Sequence, residues 1–281
     1  MRDRPAGTTG RRQHRGRLFG PLHGGRSHVK AARLSFALVA AWLALNVVIQ
    51  PPVGARQEAA ASEWALRLNA PISTWDEAIP LGNGLTGGLL WGGDSTVRLS
   101  LDRGDLWDLR TPDIYKEPDW NYATIQRLVA ERNQRELVRR FDAPFEEIPY
   151  PTKLPGARLE LTLDDGKRLT SFDLDLKRAV GGASFEGGEV TAFFSAIEPV
   201  AMLRVSGSRA CLRIVAPAAL SKLGYPPART GATDASTWLE QEAALGLSYA
   251  VHVESRVVGA TTEIAVSVTT SRDGARPLAL A

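Results

Sequence analysis

The chain has 281 residues, 44% of them hydrophobic, and a formal net charge of +3, enough for one large or two small packed domains. That charge is unevenly placed. Residues 1–33 carry nine Arg/Lys against Asp3, residues 34–55 carry none, and from Arg56 onward 25 Lys/Arg face 30 Asp/Glu, a net of −5. The pI near 9.2 therefore belongs to the leader, and reading the body as a basic nucleic-acid binder is excluded.

The leader, residues 1–55, reads as an export signal. Arginines precede the uncharged apolar run Leu34–Ile49, Pro51 and Pro52 break any helix, and Val53-Gly54-Ala55 supply the small residues of a cleavage site after Ala55. An uncleaved anchor is the alternative, but the sixteen apolar residues fall short of the roughly 20 that span a bilayer. The protein is thus expected to be periplasmic or extracellular, with membrane contact only through this segment. The first thirty residues, rich in Arg and Gly, are expected to be disordered, and a translation start nearer Lys30 stays open.

Residues 56–281 read as one domain, opening with the densest signal in the chain. Trp75 to Gly93 runs W-D-E-A-I-P-L-G-N-G-L-T-G-G-L-L-W-G-G, and Thr96 to Asp108 follows as T-V-R-L-S-L-D-R-G-D-L-W-D. Strands are expected at Gly87–Trp91 and Val97–Leu101. Gly82-Asn83-Gly84-Leu85-Thr86-Gly87 fits G-x-G-x-x-G, yet Pro80 precedes it and an apolar strand follows, whereas a dinucleotide loop opens a helix. The glycines instead supply positive φ and close backbone approach in a turn. A helix is predicted over Tyr122–Phe141, with Ile125, Leu128, Val129, Leu137, Val138 and Phe141 on one face, and Pro144 stopping it.

The Pro-rich loop Tyr150–Gly156 leads to strand Arg158–Leu163, whose alternation sets Leu159, Leu161 and Leu163 on one side. Asp164-Asp165-Gly166 marks a turn. Further strands are predicted at Leu169–Leu176, Val190–Ala196, Val200–Val205, Cys211–Val215, Leu247–Glu254 and Thr262–Thr270, with Ala216–Ala235 as a surface excursion. Many strands, one helix and no internal repeat define an all-β fold, a large two-sheet β-supersandwich with one inserted helix near 122–141.

Candidate chemistry is sparse. The lone cysteine, Cys211, excludes an intrachain disulfide and reads as a small buried core residue; His252 is the only histidine after the leader. No His or Cys spacing suits a metal, and no cofactor is expected. Asp76 with Glu77, the acids at 102, 105 and 108, and Asp164 with Asp165 could be hydrolytic pairs. Neighbours on one strand, however, seldom flank a sugar from both sides, so Asp105 and Asp108 are expected to bond loops instead. Exposed tryptophans stack sugar rings and buried ones pack cores or domain interfaces. Packing is favoured for Trp75, Trp91 and Trp107.

The Trp75–Asp108 pattern resembles the opening of the N-terminal β-sandwich of glycoside hydrolase family 95, best known for α-L-fucosidases. A looser likeness continues through Tyr150–Leu163, Val190–Ser206, Ser248–Val268 and the linker-like Ser271–Leu278. Leu85-Thr86-Gly87-Gly88 after Gly84, and Asp102-Arg103-Gly104-Asp105 in place of an Asn-Glu acid run, depart from the family pattern and leave the sugar open. The resemblance implies an exported glycoside hydrolase with a carbohydrate partner, whose sandwich packs on a C-terminal (α/α)6 barrel. In the family that barrel inverts an α-L-fucosyl or related linkage, using a Glu general acid and an Asp-assisted base.

No position here corresponds to either group, so no catalytic residue is assigned. The chain is expected to be a truncated, non-catalytic N-terminal domain, inactive alone. Trp75, Asn83, Trp91 and Trp107 are its candidate substrate-cleft or domain-interface residues. The alternative is a stand-alone carbohydrate-binding module with exposed Trp on one face. A sandwich separated from its barrel should instead expose an apolar patch.

Overall fold

The computed structural model describes residues 64–274. The export signal, its cleavage site and the last residues of the expected linker lie outside them. In chain order the strands are β1 (Ala65–Asn69), β2 (Ile79–Gly82), β3 (Thr86–Gly93), β4 (Thr96–Arg103), β5 (Trp107–Asp108), β6 (Thr152–Lys153), β7 (Ala157–Leu163) and β8 (Leu169–Asp175). They continue with β9 (Val180–Phe185), β10 (Gly188–Phe194), β11 (Val200–Ser206), β12 (Ala210–Val215), β13 (Arg229–Ala232), β14 (Ser236–Glu242), β15 (Ser248–Val258) and β16 (Thr261–Thr270). A nine-stranded antiparallel sheet has the order β1-β8-β9-β10-β11-β16-β15-β14-β13, and a five-stranded sheet the order β12-β7-β4-β3-β2. The expected all-β sandwich is the fold observed.

Period-two alternation builds its core. Val97, Leu99 and Leu101 of β4 and Leu159, Leu161 and Leu163 of β7 point inward, as do Val190 and Ala192 of β10 and Ile264, Val266 and Val268 of β16, and all join one cluster. Each fully buried aliphatic side chain contributes about 1.5–3 kcal/mol relative to exposure. Two glycines let the layers close. A Cβ on Gly88 would lie 2.9 Å from Leu99 Cδ1, and one on Gly181 of the facing sheet 2.9 Å from Leu81 Cδ1.

Register gives the sandwich two unlike ends. Thr86 pairs with Arg103, and Val200 pairs with Ser267 near the close of β16. Residues 83–85, 195–199, 243–247 and 271–274 therefore share one end with the segments flanking β5 and β6. We term this the loop end. The opposite turn end is closed by residues 94–95, 186–187, 207–209 and 259–260.

Several expectations need correction. The predicted helix is interrupted: one helix covers Tyr122–Ala130, Arg132 adopts φ 56°, and Asn133 caps a second helix, Gln134–Leu137, by accepting from Glu136 N–H. The capping amide offers the backbone an alternative to a continuous helix. Pro144 does not stop the run but starts another turn, Pro144–Glu147, at the first helical position, where its missing N–H costs nothing. Cys211 is exposed rather than buried, because alternation on the edge strand β12 points it away from the core. The Ala216–Ala235 excursion contains a helical turn, Ala218–Lys222, that buries Leu220, and the edge strand β13.

Candidate functional site

The four candidate residues do not converge. Asn83 and Trp107 lie at the loop end, Trp91 sits on the outer face of the five-stranded sheet, and Trp75 stands in the turn-end connection before β2. Trp75 heads a short 3-10 turn, Trp75–Glu77, and is 63% exposed, contrary to the packing role expected for it.

Asn83 organises the glycine-rich turn. Its Oδ1 accepts from the N–H groups of Leu85 and Thr86 at 3.1 and 2.9 Å, while its Nδ2 donates to the Ser195 carbonyl at 2.8 Å. Gly84 takes φ 94°, as the turn reading of the motif requires. Asn83 thereby joins the β2–β3 turn to the β10–β11 loop across the two sheets, and that occupies its amide.

Trp107 is 41% exposed. Its indole N–H donates to the Gly104 carbonyl at 3.0 Å, and Lys153 Nζ lies 6.0 Å from its ring centroid. The same ammonium bonds Asp102 and the Arg103 carbonyl. An indole edge beside an anchored cation can stack a sugar ring or a facing side chain.

Next to it lies a clamp that sequence reading missed. Arg103, 5% exposed, is held by Asp105 at 2.9 Å and bidentately by Asp273 at 2.6 Å, and donates to the Val268 carbonyl at 3.0 Å. Asp273 closes a capping box with Thr270, and the Arg103 hydrogen bonds hold its carboxyl below the usual carboxylate range. The clamp ties β4 of one sheet to the point where the chain leaves β16 of the other. Arg103 stands in the segment where the sequence departs from the family-like acid run. That departure was visible in the sequence, but its partner 170 residues away was not.

A second buried carboxylate, Asp108, accepts from Arg110 and from the Tyr225 hydroxyl. Burial works to raise its pKa, but the Arg110 and Tyr225 hydrogen bonds outweigh it and the net shift is downward. Tyr225 is pushed up to about 12 by burial and by Asp108. Asp105 and Asp108 thus bond loops, as expected. Among the described residues, neither faces a second free carboxylate across a cleft.

Trp91 is partly buried, as expected. Its N–H donates to Ser100 at 2.9 Å, and the guanidiniums of Arg98 and Arg158 lie 5.1 and 5.9 Å from its ring centroid. Register sets Trp91, Arg98, Glu160 and Arg213 in one row across β3, β4, β7 and β12.

The described residues form a two-layer antiparallel sandwich with a helical insertion and loops gathered at one end. The chain belongs to the family described as glycosyl hydrolase family 65, N-terminal domain, which residues 66–275 match. It is also similar to alpha-L-fucosidase 2 of Arabidopsis thaliana, 37% identical over 132 residues, which cover 44% of this chain and 15% of that protein. Both findings support the resemblance drawn from the Trp75–Asp108 pattern: the chain is an N-terminal domain of the glycoside hydrolase type. A family of that kind implies a carbohydrate-related role and a catalytic domain elsewhere.

Proposed function

We propose that this chain is the non-catalytic sandwich of a fucosidase-like exo-glycosidase acting on plant or host glycans, and that its loop end abuts a catalytic barrel and helps wall the substrate cleft. One observation carries the reading. Leu85, Ile197 and Leu245, exposed by 46, 90 and 74%, crown three separate loops at the end where the chain passes Gly274. Trp107 and Leu109 are exposed on the same end. Apolar groups gathered at one end of a sandwich mark an interaction surface. The buried clamp at Arg103 anchors Asp273, just past the end of β16.

Export through residues 1–55, with cleavage after Ala55, belongs to the same proposal, and N-terminal sequencing of the secreted protein tests it. The catalytic assignment is tested by incubating the purified full chain with an aryl α-L-fucoside. No turnover is expected, and sustained turnover would overturn the non-catalytic reading. Reading the gene beyond the codon for Ala281 tests the barrel. A helical region with inward carboxylates, in frame or one frameshift away, supports it; its absence favours a stand-alone carbohydrate-binding module. The exposed indole of Trp75 is the feature that speaks for that second reading.

A further inference from the structure

The outer face of the five-stranded sheet holds more positive charge than its one buried acid can neutralise. Glu160 is 6% exposed. It accepts from Arg158 Nε at 2.9 Å and Arg213 Nε at 3.2 Å, and Arg98 Nε stands 3.5 Å away. Three guanidiniums around one carboxylate leave a local excess of two positive charges, on a body whose residues 56–281 net −5. Among the described residues no hydrogen bond engages the Nη atoms of Arg98 or Arg158. Both guanidiniums are also held beside the Trp91 ring, so little side-chain freedom remains to be lost on binding.

We propose that this face, around Trp91, Arg98, Arg158 and Arg213, binds the oxyanion of an acidic saccharide. A planar guanidinium presents paired N–H donors that match a carboxylate or sulfate bidentately. Glu160 acts as the internal template, spacing the three side chains while saturating only the N–H groups aimed at it. The indole edge and the half-buried Val215 alongside offer apolar surface for a ring's C–H groups. The choice of a saccharide as carrier of the oxyanion rests on the glycosidase-domain reading; the oxyanion chemistry does not.

The test is arginine footprinting of the full chain with phenylglyoxal, read peptide by peptide so that leader arginines are resolved from those of the sheet. Dextran sulfate, polygalacturonate, neutral dextran and polyglutamate serve as probes. Protection of Arg98 and Arg158 by either acidic saccharide and not by neutral dextran is expected; which of the two protects identifies sulfate or carboxylate as the anion. Arg98→Gln with Arg158→Gln should weaken binding about tenfold or more, as for a lost charge-assisted contact. Lys177→Gln with Arg178→Gln, which removes equal charge from the exposed β8–β9 turn, should change it little.

Protection confined to the leader, or equal losses from the two variant pairs, would overturn the site. Protection by polyglutamate alone would overturn the saccharide assignment in favour of an acidic protein segment. Neither result bears on aryl-fucoside turnover, which tests the non-catalytic reading separately.

Discussion

The two ends of the sandwich are held by different physics. The turn end closes with backbone geometry: Asp94 at φ 48°, Gly92 at 142°, Gly187 and Gly207 at 79° and Gly259 at 61°. A surface ion pair there, Arg168 with Asp94, has side chains 78 and 84% exposed, and such pairs contribute only about 0–1 kcal/mol. The loop end closes with buried side chains: Arg103 between Asp105 and Asp273, Asp108 beneath Arg110 and Tyr225, and Asn83 bridging two loops. Backbone conformation is indifferent to pH and salt, whereas ion pairs are not. One end is therefore a fixed scaffold, and the other is a surface whose loops can carry specificity.

Removing the clamp should break the loop end most severely. Arg103→Ala leaves two partly buried carboxylates without a counter-charge, and loss of one partner of a buried pair costs about 3–5 kcal/mol. Denaturant unfolding should show that loss, and hydrogen exchange should show residues 270–274 opening first. Unchanged protection there would mean that the capping box alone holds the exit. The matching test at the turn end is Gly92→Ala. The new Cβ would lie 2.1 Å from the Thr96 carbonyl oxygen at a φ of 142°, a conformation costing roughly 1–3 kcal/mol or more for an L side chain. That loss should be the same at neutral pH and below about pH 4, whereas the Arg103 effect should shrink as pH falls below the ordinary Asp range, because the Asp273 pKa is lowered.

Much of the turn end was legible in the sequence, and much less of the loop end. Alternation in Val97–Leu101 and Arg158–Leu163 identified strands and their inward faces, and Asp164-Asp165-Gly166 marked its turn, because both signals are local. β1, β9, β13 and β14 lacked a readable pattern: β9 carries Gly181 and Gly182 where side chains would signal a strand, and β13 is mostly exposed edge. The site was less legible still. Arg98, Glu160 and Arg213 come from three strands, and Arg103 and Asp273 lie far apart in the chain. Only cross-strand register and closure of the sheets bring such partners together. Cys211 was misjudged for the same reason: an edge strand and a central strand share a composition, but not the same burial.

Asp108→Asn probes how far ionisation matters at the loop end. The substitution keeps shape but exchanges charge-assisted hydrogen bonds for neutral ones, and should cost about 1.5–3 kcal/mol at neutral pH. The folded pKa of Asp108 lies below its unfolded value. Its contribution is therefore present above the unfolded pKa and lost as pH falls through the folded one. Wild type should lose stability progressively below about pH 4, and the Asn variant should show a shallower acid limb. Tyr225 has the opposite sign. Raised to about 12, it contributes fully below its unfolded value near 10 and loses that contribution as pH climbs toward 12. Tyr225→Phe should make the alkaline limb shallower and, by removing one hydrogen bond that lowers the Asp108 pKa, soften the acid limb to a lesser degree. Coincident pH profiles for all three proteins would show that the loop end does not depend on this charge network.

The smallest stability effect should accompany the clearest functional contrast. Leu85→Ser, Ile197→Ser and Leu245→Asn together remove the apolar crown of the loop end, and each should stay within about 0.5 kcal/mol, because exposed side chains away from structural features contribute little. Leu245 occupies φ 57°, a region where Asn is better tolerated than Leu, so that change can even offset the other two. Val257→Ser with Val258→Ser makes the matched change at the turn end, where the valines are 76 and 47% exposed. If the loop end is an interaction surface, the first variant should bind less of a hydrophobic dye and self-associate less in sedimentation, while the second should match wild type. Equal responses would mean that apolar exposure is spread over both ends, and the case for a docking face at the loop end would fall even with the fold intact.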